Sequence, residues 1–183
     1  MLLTTLLSQH PSAVVDIVRE TPVWVGALLA GVIALGYSAT RARRVAASRL
    51  ALMPLAMLGL ALWGVQSAFG ASGHLPALGA LWALCFAGAL ALGSRAAAPA
   101  GTRFDPASRQ FLLPGSWVPM VLILGVFLIK YSVGVQLALE PTLARHLGFA
   151  ITVTALYGLL SGLFAVRSLR VLRLAARPVL QAG

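Results

Sequence analysis

WVPMVLILGVFLIKYSVGVQLAL, residues 117–139, decides how the rest of the chain reads. As a helix rising ~1.5 Å per residue it exceeds the ~30 Å hydrocarbon core of a bilayer. Its one charge, Lys130, lies well inside. An ammonium near mid-bilayer costs at least ~2.5 kcal/mol on insertion scales, so such a lysine turns to a cavity, a partner helix or a bound group.

The surrounding chain has the same character. Of its 183 residues 60% are hydrophobic, and the mean hydropathy is +0.92. The apolar runs are continuous rather than alternating, which selects helices over a β-barrel. The fold expected is therefore all-α: a polytopic bundle of five transmembrane helices over residues 22–39, 50–69, 75–92, 117–139 and 147–166. Residues 1–21 precede it as a broken apolar segment suited to a short interfacial helix. Residues 22–183 form one domain.

Arginine placement orients the bundle. Asp16, Glu20, Asp105 and Glu140 oppose fourteen basic residues, thirteen of them arginine. A net charge of +10 on a soluble protein would suggest nucleic acid, but these arginines sit in short clusters between apolar runs, so no nucleic-acid partner is expected. Eleven of them (Arg41, Arg43, Arg44, Arg49, Arg95, Arg103, Arg109, Arg167, Arg170, Arg173 and Arg177) share one side, and Arg19 and Arg145 take the other. The positive-inside rule then makes the C-terminus cytoplasmic and the N-terminus periplasmic. The tail over residues 167–183 alternates arginine with Leu169, Val171, Leu172 and Leu174, a pattern for contact with anionic lipid.

The longest polar connection, residues 93–116, contains a turn signal. Asp105-Pro106-Ala107-Ser108 suits a type I turn, and Arg103-Phe104 and Arg109-Gln110-Phe111-Leu112 flank it. A small cytoplasmic hairpin is predicted, with Ser116 available to cap the fourth span.

Two sets of small residues suit close helix packing: Gly79, Ala83, Ala87 and Ala91 in the third span, and the GxxxG pair Gly158 and Gly162 in the fifth. The first marks the third span as the tightly packed central helix. A homo-oligomer or another membrane protein is a candidate partner for such faces. Cys85, the sole cysteine, reads as a small packed residue rather than a disulfide or metal ligand.

For Lys130 three readings stay open. It is neutralised by burial, or it bonds to polar groups such as Tyr157, Ser161 or Gln66, or it faces a watered cavity, bordered also by Tyr131, that admits an anion, small solute or proton. An echo between GVIALGYS at residues 31–38 and GVFLIKYS at residues 125–132 sets Gly36 where Lys130 stands, as an inverted repeat in a small transporter would. His10, His74 and His146 lie in three separate connections, so neither a metal nor a haem is expected, and no cofactor is implied. Phosphate loop, nucleophile elbow and paired carboxylates are all missing from the sequence, which makes an enzyme the weaker class.

In PGSWVPMVLILGVFLIKYSVGV, with the opening MLLTTLLSQHP and the later TPVW, the chain resembles an uncharacterised domain family of small bacterial multi-pass membrane proteins. The resemblance covers most of the chain. It implies the inner membrane of a Gram-negative bacterium and supplies neither an activity nor functional residues.

Overall fold

The computed structural model describes residues 19–176, so the interfacial segment expected for residues 1–21 lies almost wholly outside them, as does the tail beyond residue 176. Among the described residues five long helices stand where the apolar runs predicted them: α1 Val23–Ala39, α2 Ala47–Phe69, α3 Leu75–Ser94, α4 Val118–Leu139 and α5 Leu147–Ala176. The last four are long and apolar enough to cross a membrane; α1 is a shorter apolar helix. It nevertheless runs antiparallel to α4 over most of its length. Thr21 at its start meets Tyr131, and Gly36 near its end lies against Met120. The helices that carry the two echoing stretches are thus neighbours, but the stretches themselves are offset along the pair, residues 31–38 lying beside the first turns of α4 and residues 125–132 beside the start of α1, and Gly36 serves close packing rather than a cavity matching that at Lys130.

The central helix is α5, not α3. Half of its apolar window is buried, against 17% in α2 and α3 and 11% in α4. The reason lies in which small residues face inward. A Cβ on Gly158 would lie 2.6 Å from the Trp82 carbonyl oxygen, and one on Gly162 would lie 2.6 Å from the Ala89 Cβ. These two glycines let α3 and α5 approach backbone to backbone. Ala83, Ala87 and Ala91 are instead exposed on the far side of α3, and Gly79 has open space where a Cβ would be. The expectation that this row is the buried packing seam is corrected: α3 packs through Leu78, Trp82 and Ala89, with Cys85 close to Gly158. Phe69, Leu78, Val153 and Tyr157 belong to the main apolar core, where Phe69 meets Phe149 edge-on with ring centroids 6.1 Å apart.

At the other end of the bundle the predicted hairpin forms from β2 Arg103–Asp105 and β3 Gln110–Leu113. Asp105 accepts hydrogen bonds from the Ser108 hydroxyl (2.6 Å) and the Ala107 amide (3.1 Å), which hold its carboxyl below the usual carboxylate range. A strand the sequence reading missed, β1 Arg43–Ala46, completes an antiparallel sheet of order β1-β3-β2, with Val45 opposite Phe111. Phe111 is fully buried, and Phe104 packs on it at 4.8 Å between centroids. The Ser116 hydroxyl accepts from the Val118 amide at 3.3 Å as α4 begins, and the Ser116 amide donates to the Ala39 carbonyl at 2.9 Å.

The sheet and the helix ends around it gather the arginine-rich segments on one side of the bundle. The expected basic tail is largely a continuation of α5, since nothing from Leu147 to Ala176 breaks the helix. Two of its arginines bond within the protein: Arg170 Nε donates to the Gly93 carbonyl at 2.6 Å and Arg173 Nη1 to the Ser94 carbonyl at 3.1 Å. They add side-chain donors to carbonyls at the end of α3, at the negative pole of its dipole, where the Gly93 carbonyl also accepts from the Ala96 amide at 3.2 Å.

Candidate functional site

Lys130 sits about three turns into α4, ~18 Å from its start. Its side chain crosses to α2, where Nζ donates to the Leu60 carbonyl at 3.1 Å, and rests 4.7 Å from the centroid of the Tyr157 ring on α5. One ammonium therefore ties three helices together. The aromatic face supplies electrostatic attraction worth ~0.5–2 kcal/mol, growing as water is excluded, and a carbonyl accepts one of the three N–H groups. Gly64 makes the approach possible, because a Cβ there would lie 2.6 Å from Nζ and 3.0 Å from Tyr157 Cε2.

The five residues expected to share a pocket divide. Lys130, Tyr157 and Ser161 border one small interior cavity of about 20 Å³. Tyr157 contributes its ring face to Lys130, not its hydroxyl as a hydrogen-bond partner. Tyr131, the next residue along α4, points into a different space: it borders a cleft of about 440 Å³ between α1 and α4, which Lys130 also lines. Gln66 belongs to neither. It is exposed on α2, with its amide near Gly70, so its assignment to the pocket is corrected. A 100° turn per residue explains the split, since adjacent helical residues face different neighbours.

The α1–α4 cleft is mostly apolar, walled by Trp24, Val25, Leu28, Phe127 and Val135. Its polar groups are few: Glu20, the Thr21–Tyr131 hydroxyl pair at 2.6 Å, and Lys130. An apolar body with a small number of fixed polar groups is the composition of a ligand pocket, and 440 Å³ is within the usual size range. Sequence reasoning missed Leu60, Gly64, Thr21 and Trp24 as parts of this site. A main-chain carbonyl leaves no trace in a side-chain pattern, and nothing local distinguishes Gly64 from Gly59, which has open space where a Cβ would be. A tryptophan at the start of a span, as Trp24 is, reads from sequence as an interfacial anchor and gives no sign of a cleft.

Two further buried polar atoms, Trp82 Nε1 and Thr154 Oγ1, have no hydrogen-bond partner among the described residues. No group of three metal-ligating side chains occurs among those residues either. Comparison with curated proteins and with solved structures finds no match. A family model does match, over residues 1–180. The chain belongs to this family, described as a family of unknown function, DUF6622.

Proposed function

We propose that this chain is an integral inner-membrane protein that binds, without transforming it, a small amphipathic molecule in the α1–α4 cleft. The ligand has an apolar body and a carbonyl or carboxylate oxygen that meets Lys130. The carrying observation is that Lys130 lines a cleft of about 440 Å³ on one side and a cavity of only about 20 Å³ on the other. A ligand entering from α1 meets the Lys130 side chain and finds closed packing beyond it, which favours binding over passage of a solute, ion or proton. The proposed orientation, N-terminus periplasmic and C-terminus cytoplasmic, rests on the arginines collected at the sheet end of the bundle.

The test is native purification followed by mass spectrometry of the small molecules that co-purify, for wild type, Lys130→Met and Trp24→Ala. Wild type should retain an acceptor-bearing amphipathic molecule. Loss of a hydrogen bond to a charged group lowers retention roughly tenfold to a hundredfold in Lys130→Met. Trp24 is 66% exposed, so Trp24→Ala should reduce retention while leaving thermal stability unchanged. Equal retention in all three proteins sinks the proposal.

A second reading, a structural or assembly partner, is supported by the outward row Ala83, Ala87 and Ala91 with open space at Gly79. Small residues on a lipid-facing surface allow a second helix to approach closely. A cysteine at Ala87 in a Cys85→Ala background should then form an intermolecular disulfide in membranes. Failure to cross-link there, while a control cysteine pair on α3 and α5 oxidises, removes this reading.

A further inference from the structure

We infer that the cavity between Arg43 and Arg167, at the sheet end of the bundle, is a built site for a phosphate group. Its volume is about 70 Å³, several times the ~10–15 Å³ that one water needs. Arg43 reaches it from β1 and Arg167 from α5, and Ser168 adds a hydroxyl, while the Thr102 hydroxyl on its wall donates to the Pro99 carbonyl at 2.7 Å. Both guanidiniums are half-buried.

Charge is the first argument. Arg167 lies within electrostatic reach of Arg43 and Arg170, and Arg43 within reach of Arg167 and Arg49, all of the same sign. Asp105, the acid of the nearby hairpin, is instead under the influence of Arg44. Like charges brought together in a partly dry space repel, and an anion between them reverses the sign of every term.

Donor use is the second. Arg170 and Arg173 donate to carbonyls at the end of α3, and Arg41 lies over the Tyr37 ring while donating to its hydroxyl. Arg43 donates to the Ser38 hydroxyl at 3.1 Å, using one of its five N–H groups. The Arg167 side chain makes no hydrogen bond among the described residues. A phosphate offers three or more acceptor oxygens, enough to engage two guanidinium forks and a hydroxyl together, whereas a carboxylate offers two.

Depth is the third. Arg167 follows the start of α5 by twenty residues, hence ~30 Å, the thickness of the hydrocarbon core, which sets it at headgroup level. Met53 and Ile123 wall the cavity with apolar surface. The phosphate is that of a phospholipid headgroup or of a free phosphate ion, and the experiment separates the two. This site is independent of the Lys130 cleft.

The full chain, stripped of lipid in detergent, is unfolded thermally with inorganic phosphate against chloride at equal ionic strength. It is also unfolded with micellar phosphatidylglycerol against a diacylglycerol of the same chains. At a hundredfold excess over Kd the melting temperature should rise by roughly 5–10 °C. A rise with phosphatidylglycerol alone assigns the headgroup; a rise with inorganic phosphate assigns the free anion. Arg43→Gln combined with Arg167→Gln should abolish the rise, Arg167→Lys should keep part of it, and Arg41→Gln should keep it whole. Without ligand, Arg167→Gln should melt no lower than wild type, because it removes a repulsion rather than a bond. The inference is overturned if neither probe raises the melting temperature or if diacylglycerol raises it equally. It is also overturned if the double variant still responds, or if unliganded Arg167→Gln is destabilised and Arg167→Lys restores it.

Discussion

Gly158→Leu is expected to destroy the seam between α3 and α5 and to lower stability by at least ~3 kcal/mol. Even a single added Cβ would stand 2.6 Å from the Trp82 carbonyl oxygen and 2.9 Å from the Cys85 Cβ. The obstacle is backbone, which cannot rotate away as a flexible side chain would. Gly162 is constrained in the same way, with the Phe86 carbonyl oxygen at 2.8 Å and the Ala89 Cβ at 2.6 Å. Separating the helices would uncover Leu78 and Trp82, which the core now buries. Gly79→Ala provides the contrast: nothing lies within 4 Å of its Cβ position, and alanine is the better helix former by ~1 kcal/mol. Thermal unfolding in one detergent should therefore rank Gly79→Ala at or above wild type and Gly158→Leu far below it. Similar melting temperatures for wild type and Gly158→Leu would refute the assignment of this seam.

Gly115→Ala should be nearly as damaging for its size, and for a different reason. A Cβ at residue 115 runs into the carbonyl group of Thr40, with the Thr40 carbonyl carbon at 2.7 Å. This is where the chain leaving β3 crosses the end of α1, and the neighbouring Ser116 amide donates to the Ala39 carbonyl at 2.9 Å. Moving the crossing breaks that bond and lifts β3 away from β1, exposing Phe111. Burial of an aromatic side chain is worth ~2–3 kcal/mol, which sets the scale of the loss. Limited trypsin digestion gives a local readout, because Arg103 opens β2 and Arg109 ends the turn of the hairpin. Cleavage there should rise severalfold in Gly115→Ala, whereas Gly125→Ala, with nothing within 4 Å of its Cβ position, should leave it unchanged. Unchanged cleavage in Gly115→Ala would show that the close approach carries no energy. Since Arg43 lies on β1, loss of the sheet should also weaken the phosphate-dependent stabilisation.

Particular residues show how far the sequence could be read. The five helices and the hairpin were legible because their causes are local: uninterrupted apolar runs between arginine clusters, and an Asp-Pro turn flanked by phenylalanines. β1 was not. Arg43-Arg44-Val45-Ala46 has no strand signal of its own, and it is extended only because β3 lies alongside to accept its hydrogen bonds. Both small-residue rows were visible, yet their spacing could not say which faced a neighbour. Gly158 and Gly162 face α3, while Ala83, Ala87 and Ala91 face outward.

Lys130 divides along the same line. Composition and hydropathy by themselves determined that a lone ammonium stands far inside an apolar helix and needs a partner, because the cost of an unpartnered charge in oil follows from its depth in the apolar run. Which partners it takes is a matter of distances between helices remote in sequence. Only the tertiary structure brought the Leu60 carbonyl, the Tyr157 ring and the space above Gly64 to one point, turned Gln66 away, and opened the cleft along α1. Hydrophobic runs are a property of consecutive residues, whereas a site is made by residues 70 positions apart whose meeting no local pattern encodes.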